Sequence, residues 1–276
     1  MNAQSARPST LTTPSPARHK VAGTGWRGVR TLTLTEGRLM LRDTGTVVFV
    51  LLFPTILLVG VGLVVPGMRD VLTDVPPPWA GLTGVSFYVP VALATSVATV
   101  ALSTMPVYFA TFREKGVLRR LSTTPMRPQG LIGAHLAIDV AAVCLAAVLA
   151  LGVGSVVFEI AAPVNPGVVV AGFLLGVLSM FSLGMLVASR ADKASTASAI
   201  GMTLYFPMLF FAGMWTPGPA MPETLRTIAG FTPLGAATQA MTTGWFENGF
   251  PASQLVVMAV WTVVLLPIAA RLFRWS

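Results

Sequence analysis

The chain has 276 residues, 54% of them hydrophobic and only 10% charged, with a mean hydropathy of +0.76. Soluble domains carry about 25% charged residues, so this composition excludes a water-covered globule and points to a polytopic membrane protein. The formal charge of +8 raises nucleic acid as a partner, but the basic residues are spread between apolar segments as topology signals rather than gathered into a patch.

Residues 1–25 are rich in Ser, Thr, Pro and Ala and include Arg7, Arg18, His19 and Lys20. They have no apolar core of a secretory signal and are expected to form a disordered cytoplasmic tail. The next stretch, WRGVRTLTLTEGRLMLRD at 26–43, is amphipathic. At about 100° per residue, Arg27, Thr31, Thr35, Arg38 and Arg42 share one narrow polar face, with Trp26, Val29, Leu32, Leu39 and Met40 opposite. The pattern predicts a helix lying along the membrane surface. Its polar face is suited to lipid anchoring or to a cytoplasmic partner.

A spanning helix needs about 20 predominantly apolar residues. Six segments qualify: 45–66, 84–110, 131–158, 167–189, 194–215 and 254–273. Residues 167–215 cannot form one helix, which would be about 74 Å long against a hydrocarbon core of about 30 Å. Arg190, Asp192 and Lys193 therefore mark a short turn between two antiparallel spans. The first external loop is stiffened by Pro76, Pro77 and Pro78.

Between spans two and three lies FREKGVLRRLSTTPMRP, residues 112–128. It concentrates Arg113, Glu114, Lys115, Arg119, Arg120 and Arg127 within an otherwise apolar chain. Its charges suit docking to a cytoplasmic protein. Val117, Leu118 and Leu121 would seat it against the span ends, and Pro125 and Pro128 are expected to stop the helix before span three. A solvated topogenic loop is the plainer reading.

The loop after span five, 216–253, contains TPGPAMPETLRTIAGFTPLGAATQAM. Pro222 and Pro233 sit where short helices start, and Gly230 separates the two stretches. The runs are too short to span and predict partial re-entry into the membrane; otherwise Ile228, Phe231, Leu234 and Met241 would face water. Of the 18 lysines and arginines, only Arg69 and Arg226 fall in the loops on this side. The positive-inside rule then places both termini, the insert and the turn at 190–193 in the cytoplasm.

The three lysines, Lys20, Lys115 and Lys193, follow His, Glu and Asp, so none sits in the Gly-Lys-Ser/Thr of a Walker A loop. Any ATPase must be another chain. Ser155 and His135 are about 30 Å apart along one helix, which argues against an intramembrane serine protease. The lone Cys144 reads as a small core residue, and no Cys/His spacing suggests a metal. His135 and Asp139 are four apart and share a helix face. They suit a local His–Asp hydrogen bond or a proton relay. Met202, Tyr205, Phe206, Met208, Phe210, Phe211, Met214 and Trp215 in span five, with Phe87, Tyr88, Met105, Tyr108 and Phe109 in span two, suit either packing or an apolar route. Ala194, Ser198 and Gly201 form a row that permits close helix packing.

Two motifs carry a family resemblance. One is Glu114, Lys115, Gly116, Leu118, Leu121, Thr124 and Pro125 within the charged insert; the other is Gly213, Pro217, Met221, Pro222, Leu225 and Pro233 after span five. Together they resemble the permease subunit of type-2 ABC exporters, similar to daunorubicin-resistance permeases, from about residue 26 onward. The resemblance implies an all-α type-2 transmembrane domain at 26–276 that works as an exporter; the substrate does not follow from it, and the aromatic and methionine residues of span five point to a hydrophobic or amphiphilic one. It implies two permease copies, a homodimer, working with two ABC ATPase subunits that hold ATP and Mg. The helix at 26–43 (Arg27, Thr31, Arg38, Arg42) and the coupling segment 111–130 would face the ATPase, with Arg113 and Glu114 gripping it. Spans one and five would meet the second copy, and Tyr205, Phe206, Met208, Phe211 and Met214 would line the pathway. No cofactor, catalytic residue or nucleic-acid partner is expected in this chain, and its expected location is the plasma membrane. A proton-coupled carrier using Asp139 and a non-transporting scaffold are the alternative readings.

Overall fold

The computed structural model describes residues 37–38, 42–73, 79–116 and 128–272, the last stretch by backbone alone at 128–131 and at 219. Among the described residues the chain is helical, apart from an isolated bridge between Val71 and Thr83. Six helices are long and apolar enough to cross a membrane. They are α1 (Thr44–Val64), α2 (Gly84–Glu114), α3 (Pro128–Phe158), α4 (Pro166–Arg190), α5 (Ala194–Phe211) and α8 (Ala252–Leu272). Between α5 and α8 lie two shorter helices, α6 (Glu223–Gly230) and α7 (Pro233–Phe246).

The helix limits follow local chemistry. Asp43 caps α1, its carboxylate accepting from Gly45 N at 3.2 Å and from Thr46 Oγ1 at 2.6 Å. Thr46, through its hydroxyl first and then its N–H, holds the Asp43 carboxyl below its ordinary range. Asn165 caps α4 and Thr232 caps α7, each followed by proline at the first helical position. Pro128 opens α3, because proline lacks only an N–H that the first turn leaves unbonded; the stop expected at Pro125 lies outside the described residues. One expected limit is corrected. Span five ends at Phe211, not at 215: Gly213 adopts φ +88° and turns the chain, leaving Met214 and Trp215 beyond the helix.

Helix α2 is the centre of the molecule, and its apolar window is wholly buried. Helices α1 and α3 pack on one flank and α4 and α5 on the other. Helix α4 also packs extensively against α7 and α8. Helix α7 is the clearest departure from a loop: Leu234, Ala236, Ala240 and Met241 are completely buried. Gly172, Gly176 and Gly244 allow α4 and α7 to approach closely. Asn165 N donates to Gly244 O at 2.8 Å and Trp245 Nε1 to Ala161 O at 3.0 Å, fixing the end opposite the basic residues. Leu234 and Met241 thus enter the protein core, whereas Ile228 and Phe231 stay exposed on the smaller helix and the bend after it.

Two π-helical segments interrupt the spans, Val47–Leu52 in α1 and Thr99–Thr104 in α2. Each ends two residues before a proline, Pro54 or Pro106. Proline has no N–H and its ring clashes with the carbonyl four residues back; widening the preceding turn relieves the clash. In α2 the consequence is specific. Met105 N–H turns back to Val100 O, and Pro106 donates nothing. Ala101 O therefore loses its donors in both the α and π patterns, and Leu102 O loses its α donor.

Candidate functional site

Those two carbonyls are where the neighbouring spans come closest. A Cβ built on Gly184 of α4 would lie 2.0 Å from Ala101 O, and one on Gly201 of α5 would lie 2.0 Å from Leu102 O. Only glycine permits either approach, and its Cα hydrogens face oxygens from which Pro106 removes a helical donor. Gly201 belongs to the small-residue row read from the sequence. Gly184 and the widened turn carry no such sequence signal, because the relation among Pro106, Gly184 and Gly201 exists only in the fold.

At the end of α2 nearest the basic insert, Arg113 and Glu114 reach across to the turn between α4 and α5. Arg113 Nη1 donates to Ala188 O at 3.0 Å and also to Ala191 O. It thereby satisfies carbonyls that the end of α4 leaves unbonded. Glu114 Oε2 accepts from Ala194 N at 3.1 Å, at the first residue of α5, where negative charge complements the helix dipole. Beneath this junction Ala110, Ala191 and Ala197 form a small buried cluster. The two charged residues expected to grip a partner thus bind within the chain and tie α2 to the α4–α5 turn. Gly116, at φ +66°, turns the backbone out of α2. Leu118, Leu121, Thr124 and Pro125 of the expected coupling segment lie outside the described residues, as do Arg27 and Thr31 of the expected surface helix. Arg38 and Arg42 are exposed.

The proposed pathway residues divide. Tyr205 is buried, and its hydroxyl pairs with Thr99 Oγ1 at 2.9 Å. It takes part in the α2–α5 contact. The neighbouring Phe206 is 57% exposed and joins Pro207, Phe210, Phe211 and Trp215 around an open apolar surface. Met208 and Met214 are half-buried; Met214 O accepts from Tyr88 Oη at 3.4 Å.

Helix α3 contributes the buried pair. His135 Nε2 lies 3.5 Å from Asp139 Oδ2, one helical turn apart. This is a close contact without hydrogen-bond geometry: Asp139 Oδ2 and His135 Nδ1 are both buried with no hydrogen-bond partner. The imidazole stacks on Tyr108 with ring centroids 3.5 Å apart and planes at 4°. Both residues border a cavity of about 520 Å³ between the basic-end halves of α1, α2 and α3.

A comparison with known protein families matches residues 27–246 to the ABC-2 type transporter domain. The match covers all of the elements described above except α8. No curated protein sequence matches the chain.

Proposed function

The chain belongs to the ABC-2 type transporter family, and from that premise we propose that it is the membrane-spanning subunit of an ATP-driven exporter. A separate ABC ATPase hydrolyses the nucleotide and holds ATP and Mg. The observation that carries the reading is the Arg113–Glu114 junction. The charged insert leaves α2 directly after these residues, so force applied to the insert reaches α2, the end of α4 and the start of α5 together. The arrangement supports a lever, with the insert as its handle and the glycine contacts at Ala101 and Leu102 as its rigid shaft.

In this reading the basic end faces the cytoplasm of the plasma membrane, with both termini there. Two ATPase copies bind two permease copies. The second permease covers the apolar faces that α1 and α5 expose through Phe49, Ile56, Phe206 and Phe210. The substrate is hydrophobic or amphiphilic, and Phe206, Phe211 and Trp215 form part of its outward route. On the coupling surface, Gly116, Leu118, Leu121, Thr124 and Pro125 carry the insert against the ATPase. Arg113 and Glu114 position it, and Arg27, Thr31, Arg38 and Arg42 flank it.

Reconstitution tests this. Proteoliposomes holding the chain and its co-purified ATPase should move an amphiphilic dye only with ATP, and a Walker-lysine substitution in the partner should stop it. Transport driven by a proton gradient without nucleotide would overturn the proposal. For topology, Val164→Cys and Asn248→Cys in a Cys144→Ser background should react with an impermeant maleimide on intact cells, and Asp192→Cys should not. Labelling of Asp192→Cys from outside would reverse the orientation.

A further inference from the structure

The cavity between α1, α2 and α3 has no part in the lever. Its volume, about 520 Å³, falls within the roughly 300–1,000 Å³ of small-molecule pockets. Its walls are mainly apolar, supplied by Val50, Val107, Phe112 and Ile138. Two carboxyl groups border it, Asp43 at the start of α1 and Asp139 on α3, and no lysine or arginine is among its described lining residues.

Asp139 is the decisive group. It is 5% exposed, and its Oδ2 has no hydrogen-bond partner. His135 contacts it at 3.5 Å without forming a hydrogen bond. A pair whose purpose was structural would satisfy its own atoms, since a buried unpaired carboxyl is costly. Here Asp139 is instead among the residues that line the cavity. Tyr108 and Phe112, with ring centroids 4.3 Å apart, add aromatic surface on the same cavity, and aromatic faces attract cations.

We propose that this cavity binds a lipophilic organic cation, with Asp139 as the counter-charge, Asp43 as a weaker second one, and the apolar walls holding the body of the molecule. Two sources present this chemistry: a free amphiphilic cation, or the ammonium headgroup of a phospholipid. The proposal narrows the substrate class of the exporter reading and rests on that reading only for its purpose. Occupancy is therefore measured without nucleotide. Lost binding with intact ATP-driven transport removes the site alone, and intact binding without such transport removes the exporter reading alone.

The test uses the full-length chain in nanodiscs of phosphatidylglycerol, with radiolabelled tetraphenylphosphonium as probe and the isosteric anion tetraphenylborate as its control. The phosphonium should bind saturably and the borate should not compete. Asp139→Asn should weaken binding by about tenfold or more. Asp43→Asn should weaken it about twofold and still cap α1, because asparagine caps as well as aspartate. Should Asp139→Asn fail to fold, protection replaces it: Ser103→Cys, on the cavity lining in a Cys144→Ser background, should be shielded from a maleimide by the phosphonium and not by the borate. Phosphatidylethanolamine that then displaces the phosphonium identifies a lipid ammonium as the native occupant; failure to displace it identifies a free cation. Binding unchanged in a folded Asp139→Asn, equal competition by the borate, or no shielding of Ser103→Cys would each overturn the site.

Discussion

The two flanks of α2 are built on opposite principles. Toward α4 and α5, glycines press against backbone carbonyls, Tyr205 locks its hydroxyl to Thr99, and Arg113 and Glu114 close the end. Toward α1 and α3, a buried carboxyl borders a cavity of about 520 Å³. A flank closed by such short contacts transmits displacement, because packed interiors yield little. A flank with a void accommodates a guest. On the proposed reading, one helix separates the part that moves as a unit from the part that receives a ligand, and substitutions on the two flanks should fail differently.

The largest effect is expected at the glycine contacts. Gly184→Leu forces a side chain into Ala101 O and the Met105 methyl and should cost about 3 kcal/mol or more, seen as loss of the monodisperse peak on size exclusion. A variant that folds and melts normally would show that this flank is not rigid. Next, Arg113→Ala removes the charged donor from the last carbonyls of α4. It should cost about 1.5–3 kcal/mol, toward the lower figure because the site is only part-buried, read as a lower melting temperature of the detergent-solubilised complex. Glu114→Ala deletes the cap of α5 at an exposed position, worth about 0.5–1 kcal/mol. The protein should insert normally, yet transport per ATP hydrolysed should fall severalfold. Normal coupling at normal expression would break the link between junction and lever.

The smallest and sharpest contrast lies at neighbouring positions. Tyr205→Phe should destabilise by about 0.5–1.5 kcal/mol without altering which compounds stimulate hydrolysis. Phe206→Ala, on the exposed face, should leave the melting temperature within about 0.5 kcal/mol equivalent and change the substrate profile. Reversed outcomes would exchange the two assignments.

The sequence displays the spans because length and hydropathy are properties of single segments. It also displays the embedded α7, whose Leu234 and Met241 are too apolar for a water-facing loop. It does not display which face of a span meets protein. In water a buried face is marked by its contrast with a polar one; in a bilayer both faces are apolar, so Tyr205 and Phe206 look alike until the fold separates them. Arg113 and Glu114 are legible in the sequence as a charged pair, but their contacts within the chain are not. Their partners, Ala188, Ala191 and Ala194, are backbone groups some eighty residues on, and backbone groups carry no sequence signal. Asp43 is only the last residue of the amphipathic stretch in the sequence, and the packing of α1 beside α2 and α3 sets it on the same cavity as Asp139.

The central claim is that α2 and the α4–α5 turn move together when the partner ATPase acts. The most direct measurement joins them covalently. Lys115→Cys and Lys193→Cys, in a Cys144→Ser background, flank the Glu114–Ala194 bond and are bridged by a short thiol cross-linker in the reconstituted complex. Because the two elements already travel as one body, ATP-driven transport should continue at close to the uncross-linked rate. Transport that stops on cross-linking and returns when the bridge is cleaved would show that they must separate, and would contradict the account.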